Sequence, residues 1–146
     1  MPDPLVHRDA LRDDDAVRLR FAVFWRDFRR ACPYIAVMVS IKQIRDWSRS
    51  VAAQFKPDRI ILFGSYAYGK PREDSDVDLL VVLPHDGLAA RKASEIRLAL
   101  PSNVPVDVIV RSPEKICERL RMNDFFVREI MENGLVLYAS GNKRMA

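Results

Sequence analysis

Residues 60–83 read IILFGSYAYGKPREDSDVDLLVVL, and this stretch decides the fold expected for the chain. Two apolar runs flank a polar connection, and both have the length and the isoleucine, leucine and valine content of strands in a sheet covered by helices. The first run ends at Gly64-Ser65, and the second follows Asp76-Val77-Asp78. The stretch therefore predicts two buried strands joined by a turn and a carboxylate pair, which we interpret as an active site.

The Gly-Ser pair suits a phosphate-binding turn. Gly64 has no side chain, so the backbone can turn sharply and approach a polyphosphate, while Ser65 offers a hydroxyl and a backbone N–H to a phosphate oxygen. Most Gly-Ser pairs are only turns, so the pair by itself is a weak indication of function. Its spacing from the carboxylates that follow makes it significant.

Three carboxylates predict a metal site. Asp76 and Asp78 are two residues apart, so a strand places them on one face, about 7 Å apart, where a hard cation would offset their repulsion. Asp107 lies inside the apolar run at 104–110, where a buried acid needs a partner. A salt bridge would explain Asp107 alone. Together with the other two, it predicts a cluster that holds one or two Mg²⁺ ions.

The remaining sequence alternates between helix and strand signals. Phe125 and Phe126 are adjacent, and one narrow helix face cannot bury both rings. Either one of them contacts a partner or both pack on a wide apolar face. The predicted elements are a helix from the Ser40 capping box to Pro57, strands at 59–63, 76–83 and 104–110, a helix at 86–100 crossing between the second and third strands, a helix from Ser112-Pro113, a helix capped by Asn123 and ended by Gly134, and a strand at 135–138.

Length and composition predict one main domain, because 146 residues suffice for a single hydrophobic core and not for two. We interpret residues 38–146 as that domain. Residues 1–37 read as an N-terminal extension, partly helical at 13–30, where Val17, Phe21, Phe24 and Phe28 recur at helical spacing. Met1 and Met38 both remain candidate starts.

Several classes of protein are disfavoured. Cys32 and Cys117 form no CxxC pair or Cys/His cluster, which indicates thiols in a reducing cytoplasm and neither zinc nor a disulfide framework. The apolar run at 34–39 is far shorter than the roughly 20 residues of a membrane span. Although the net charge is +4, residues 64–110 carry five basic and seven acidic side chains. An acidic site suits a metal–phosphate centre better than direct binding of nucleic acid.

The combination of Gly-Ser, ten intervening residues, Asp-Val-Asp and a later strand carboxylate resembles the minimal nucleotidyltransferases, or MNT proteins, of the DNA polymerase beta superfamily. The resemblance covers about residues 41–139. It implies an α/β (α+β) nucleotidyltransferase fold, with a small mixed β-sheet flanked by helices. It also implies that Gly64 and Ser65 bind the nucleoside triphosphate, that Asp76 and Asp78 bind metal, and that Asp107 assists metal binding and deprotonates the acceptor hydroxyl.

The same resemblance implies a reaction and a partner. In the antitoxins of this family, two Mg²⁺ ions support the transfer of AMP from ATP to a tyrosine of a toxin with a HEPN domain, with which a hetero-oligomer can form. The chain lacks the Arg-x4–6-His motif of such toxins, which favours the antitoxin role. The alternatives are a catalytically weak antitoxin that acts by binding alone and an aminoglycoside-type small-molecule nucleotidyltransferase. The intact carboxylates and the missing substrate domain, respectively, argue against these two.

One position departs from the family pattern. Many members carry an arginine four residues after the motif glycine, where this chain has Tyr68. Lys70 and Arg72 are the candidates to contact the triphosphate instead. Tyr66 and Tyr68 either stack on a base, accept a modification or simply pack on the domain.

Overall fold

The computed structural model describes residues 38–141. The predicted helix at 13–30 and Cys32 lie outside the described residues. The elements in chain order are α1 (Ile41–Phe55), β1 (Arg59–Phe63), β2 (Val77–Val82), α2 (Ala89–Leu98), β3 (Val106–Arg111), α3 (Pro113–Arg121), α4 (Phe125–Asn133) and β4 (Leu135–Ala139).

The four strands form one mixed sheet in the order β3-β2-β1-β4. Strand β1 pairs antiparallel with both β2 and β4, whereas β2 and β3 are parallel. Parallel neighbours need a crossover connection, and α2 supplies it as predicted. The expectation of a small mixed sheet flanked by helices is therefore confirmed.

Alternating side chains of the central strands build two apolar layers, one on each face of the sheet. The first layer joins the sheet to α1 and α2 and includes Ile44, Val51, Ile60, Leu62, Leu79, Val81 and Ile96. The second joins the opposite face to α3 and α4 and includes Ile61, Leu80, Val82, Ile109, Ile116, Val127 and Ile130. Because β2 is buried on both faces beyond Asp78, a shift of its register by one residue would exchange the two layers.

Local signals set most helix boundaries. The Ser40 hydroxyl accepts a hydrogen bond from the Gln43 N–H at 3.2 Å, and the Gln43 side-chain oxygen accepts one from the Ser40 N–H at 2.9 Å, so the predicted capping box is present. Helix α2 begins later than predicted, because Gly87 adopts a left-handed conformation with φ 78°. No helix within residues 38–141 is both long enough and apolar enough to cross a membrane.

The predicted cap of α4 is wrong by one residue. Asp124, not Asn123, caps the helix, and its carboxylate oxygen accepts hydrogen bonds from the N–H groups of Phe126 at 3.0 Å and Val127 at 3.2 Å. A carboxylate also suits the positive end of the helix dipole. Asn123 has φ 54° and forms the turn between α3 and α4, a left-handed conformation that asparagine tolerates better than most residues.

Gly134 lies between α4 and β4, where no side chain fits. A Cβ atom there would lie 2.3 Å from the Ile130 carbonyl oxygen and 2.5 Å from a methyl carbon of Ile61. We expect Gly134→Ala to lower the free energy of unfolding by about 1–3 kcal/mol, because the backbone must move. Gly141→Ala is the matched control, since a Cβ there contacts nothing within 4 Å. Urea unfolding followed by circular dichroism measures both, and equal midpoints would contradict the packing.

Candidate active site

The predicted site residues of the three strands meet at one end of the sheet. The register pairs Asp78 with Phe63 at the end of β1 and with Asp107 near the start of β3. Directly paired residues point to the same face, so these side chains share the face that α3 and α4 cover further along the strands. Neighbouring strands lie about 4.8 Å apart, so the backbones at Asp78 and Asp107 are adjacent.

Asp76 and Asp78 flank Val77, which is completely buried in the opposite layer. Both aspartates are partly buried, and one carboxylate oxygen of Asp76 has almost no accessible surface. Asp107 differs from the prediction of a buried acid, because its side chain is exposed. It is the second residue of the edge strand β3, beyond the end of the apolar layer, so its charge can remain in water.

The entry to β3 is held by Arg97 at the end of α2. Its guanidinium donates hydrogen bonds to the carbonyl oxygens of Pro101 at 3.0 Å and Val104 at 2.9 Å. Partial burial of this guanidinium lowers the pKa of Arg97. The two bonds fix the loop that delivers Asp107 to the sheet.

The three carboxylates suit a hard cation by type, although their side chains do not enclose one. Among residues 38–141, no three Asp, Glu, His or Cys side chains are placed close enough to hold a metal ion. The backbone register makes Asp78 a neighbour of Asp107, and Asp76 is two residues from Asp78. Like charges repel, and a cation lying between such side chains would offset that repulsion.

Gly64 connects the turn predicted to bind phosphate to this carboxylate group. Its φ is 73°, in the left-handed region, and a Cβ atom would lie 2.3 Å from the Oδ2 atom of Asp78. Both observations require glycine here: one for the backbone conformation, the other for the space beside the carboxylate.

After Gly64 the chain makes a single helical turn. The N–H groups of Ala67 and Tyr68 donate to the Gly64 carbonyl oxygen at 3.1 and 3.2 Å. Within the described part of the chain, the N–H groups of Ser65 and Tyr66 donate to no backbone carbonyl. N–H groups at the start of such a turn can bind an anion.

The two tyrosines of the turn have different environments. Tyr66 is only 4% exposed, and its hydroxyl accepts a hydrogen bond from the Val39 N–H at 3.4 Å, so it packs on the domain. Tyr68 is 48% exposed, and its hydroxyl donates to a carboxylate oxygen of Glu129 at 2.7 Å. This hydrogen bond, followed by desolvation and the negative charge of Glu129, raises the pKa of Tyr68.

Lys70 and Arg72 lie on the loop between the turn and β2, and both are exposed. The Arg72 N–H donates to the Ser75 hydroxyl at 2.7 Å, which folds the loop back just before Asp76. Neither cation forms an ion pair with another residue between 38 and 141. Both therefore remain candidates to contact a triphosphate.

Helix α4 borders the site with residues that sequence analysis did not assign to it. The Phe126 ring meets the Phe63 ring edge-on, with centroids 5.7 Å apart, and Glu129 follows Phe126 by three residues on the same helix face. Phe125 is 78% exposed and Phe126 43%, so burial of both rings is excluded. The helical period indicated a shared face for Phe126 and Glu129, but it gave no sign of which element that face meets.

The Tyr68 environment gives a titration test. We expect Glu129→Ala to lower the pKa of Tyr68 towards the ordinary tyrosine value, because the carboxylate stabilises the protonated hydroxyl. In the native chain the hydrogen bond persists at neutral pH and is lost as the pH rises through the raised pKa of Tyr68. NMR titration of the Tyr68 ring measures this shift. Glu132→Ala, an exposed glutamate one turn further along α4, is the control, and the same midpoint in both variants would contradict the contact.

Comparison with known proteins identifies the family. The protein-family model of the nucleotidyltransferase domain matches residues 44–137 of this chain. Two proteins of Methanocaldococcus jannaschii, both named "Putative protein adenylyltransferase", are similar to this chain. One is 30% identical over 100 residues, covering 67% of this chain and 98% of the relative. The other is 32% identical over 99 residues, covering 66% and 96%.

Two solved structures also align with the chain. One is described as "a putative nucleotidyltransferase from Sulfolobus solfataricus", with 19% identity and a TM-score of 0.47, covering 67% of this chain and 78% of that one. The other is a "toxin-antitoxin with AMP-PNP", with 22% identity and a TM-score of 0.48, covering 68% and 77%. The family match and the two nearly full-length relatives show that the chain belongs to the nucleotidyltransferase domain family and is a nucleotidyltransferase.

Proposed function

We propose that this enzyme transfers AMP from ATP to a hydroxyl group of a partner protein in a reaction that depends on two Mg²⁺ ions. The observation that carries the proposal is the strand register, which makes Asp78 the neighbour of Asp107 while Gly64 lies against the Asp78 carboxylate. This arrangement supports a site in which a phosphate-binding turn lies next to metal-ligating groups. The names of the two Methanocaldococcus jannaschii relatives favour a protein as the acceptor.

The reaction assigns a role to each group. The acceptor oxygen forms a bond to the α-phosphorus, the bond between that phosphorus and the bridging oxygen breaks, and pyrophosphate leaves. The N–H groups of Ser65 and Tyr66 hold phosphate oxygens, with Lys70 and Arg72 as further contacts. Asp76, Asp78 and Asp107 would hold the two Mg²⁺ ions, which neutralise charge on the phosphates.

Asp107 has a second role as the base that takes the proton of the acceptor hydroxyl. Its exposure at the sheet edge suits this role, because a macromolecular acceptor can approach it from solvent. A buried carboxylate would require a mobile acceptor small enough to enter the site. The exposed position therefore favours a protein side chain as the acceptor.

We further propose that the acceptor is a tyrosine of a HEPN-domain toxin and that the chain acts as the antitoxin in a cytoplasmic hetero-oligomer. The resemblance to minimal nucleotidyltransferases and the lack of an Arg-x4–6-His motif in this chain support this pairing. The cytoplasm supplies ATP. An antitoxin that acts by binding alone would instead associate tightly with the toxin without modifying it.

A transfer assay tests the proposal. Labelled ATP and Mg²⁺ are incubated with this protein and the product of the neighbouring gene, and the label is expected on a tyrosine of that product. We expect Asp78→Asn to reduce transfer by roughly 100-fold or more, because several kcal/mol of charge stabilisation are lost with a metal ligand. EDTA should abolish it.

The matched control is Asp86→Asn, an exposed aspartate in the loop after β2. Equal transfer by the two variants would refute the role of Asp78. Tight association without label in the partner would favour inhibition by binding alone, and a neighbour without an Arg-x4–6-His motif would count against the toxin assignment.

A pair of glycines separates backbone strain from the contact with Asp78. Gly64 and Gly69 have φ of 73° and 68°, so an alanine at either position costs about 1–2 kcal/mol of stability. Only at Gly64 would the new Cβ displace the Asp78 carboxylate, because a Cβ at Gly69 meets nothing within 4 Å. We expect Gly64→Ala and Gly69→Ala to be similarly destabilised, with AMP transfer lost only in Gly64→Ala. Equal activities would show that the close approach is unimportant.

A further inference from the structure

The turn after Gly64 is attached to the domain from two sides by tyrosine hydroxyls. On one side, the buried Tyr66 accepts a hydrogen bond from the Val39 N–H, just before α1. On the other side, Tyr68 donates to Glu129 of α4, a residue 61 positions away in the sequence. The two contacts join the turn to elements that precede and follow it.

Tyr68 is poorly placed to act as a phosphate ligand itself. A tyrosine hydroxyl has one proton, and here that proton is directed to the Glu129 carboxylate at 2.7 Å. The hydroxyl is neutral at neutral pH, and the adjacent carboxylate would repel a phosphate. Any effect of Tyr68 on nucleotide binding must therefore act through the turn that carries it.

We propose that Tyr68 and Glu129 form a positioning pair, in which their hydrogen bond fastens the phosphate-binding turn to α4 and so fixes the Ser65 and Tyr66 N–H groups relative to Asp78. This inference rests on the proposed binding of ATP at the turn. In this proposal neither residue of the pair touches the reacting atoms.

The mechanical coupling follows from the backbone. The Tyr68 N–H donates to the Gly64 carbonyl oxygen at 3.2 Å, so a displacement of Tyr68 moves Gly64, which lies against the Asp78 carboxylate. Tyr68 is thus one helical turn from the glycine, at the far end of the segment that needs support.

Helix α4 is a rigid support for this attachment. Val127 and Ile130, on either side of Glu129, are 6% and 2% exposed and belong to the apolar layer beneath the helix. The turn itself has less support, because Tyr68, Gly69 and Lys70 are exposed. Attaching an exposed turn to a packed helix reduces its motion.

Hydrogen exchange and ATP binding test the pair in the full-length protein. Tyr68→Phe keeps the ring and removes the donor, while Glu129→Ala removes the acceptor. In both variants we expect faster amide exchange across residues 64–70 and a Kd for ATP in the presence of Mg²⁺ that rises by roughly two- to tenfold, the effect of one ordinary hydrogen bond. Calorimetric titration with ATP gives the Kd.

Three further variants separate the hydrogen bond from other causes. Glu129→Gln keeps an acceptor oxygen, so it should behave like the native protein if the hydrogen bond matters and the charge does not. The double variant Tyr68→Phe/Glu129→Ala should be no worse than either single variant, because both remove the same bond. Tyr138→Phe, which alters a tyrosine on β4, controls for the loss of a hydroxyl elsewhere.

Native exchange and native ATP affinity in both single variants would overturn the proposal. Faster exchange with unchanged affinity would also overturn it, since the pair would then hold the turn without positioning it for nucleotide. If the native protein binds no ATP, the proposed function fails first, and the exchange data show separately whether the attachment exists.

Discussion

The register of β2 between β1 and β3 is the constraint on which the site depends. Leucine and valine side chains of β2 are buried on both faces, so a slip by one residue would move apolar groups between two layers built from different residues. The same register makes Asp78 the neighbour of Phe63 and Asp107. Core packing along the strands therefore positions charged groups at their ends, where the apolar layer stops.

Gly64 extends this constraint from the sheet to the turn. Its lack of a side chain lets the backbone come within reach of the Asp78 carboxylate, and its left-handed conformation starts the turn immediately after β1. A phosphate held by the turn would thus lie close to groups able to bind metal. Gly64 therefore sets the distance between the turn and the Asp78 carboxylate, and it has no side chain whose conformation could alter that distance.

Sequence alone predicted what depends on local pattern. The capping box at Ser40, the strand ending at Gly64 and the crossover helix all follow from turn chemistry and hydrophobic periodicity, and all are present. The cap of α4 was misplaced because Asn123 and Asp124 are both good capping residues, and only the geometry of the turn between α3 and α4 decides between them.

Features that depend on strand order were not predictable in the same way. The apolar run around Asp107 indicated burial, but the position of β3 at the sheet edge leaves its carboxylate exposed. The contact between Tyr68 and Glu129 joins residues 61 positions apart, and no local pattern encodes it. The grouping of the three aspartates was expected from the resemblance to a family and from their shared strand periodicity, whereas their metal-binding role remains a prediction.

The negative charge of the site calls for two separate things: cations that offset the charge, and a contact that holds the turn in place. Residues 64–110 are acidic overall, so a triphosphate that bound beside Asp78 would meet a repulsion that cations would have to offset. Lys70 and Arg72 are exposed on the loop before β2 and could contact the phosphates, while Mg²⁺ would neutralise the aspartates. Glu129 adds another negative charge nearby, and one of its carboxylate oxygens accepts a hydrogen bond from the Tyr68 hydroxyl. The hydrogen bond between this hydroxyl and carboxylate therefore attaches the turn to α4, but it contributes no positive charge. In the proposed reaction, the positive charge that offsets the phosphates would come from the metal ions and from Lys70 and Arg72.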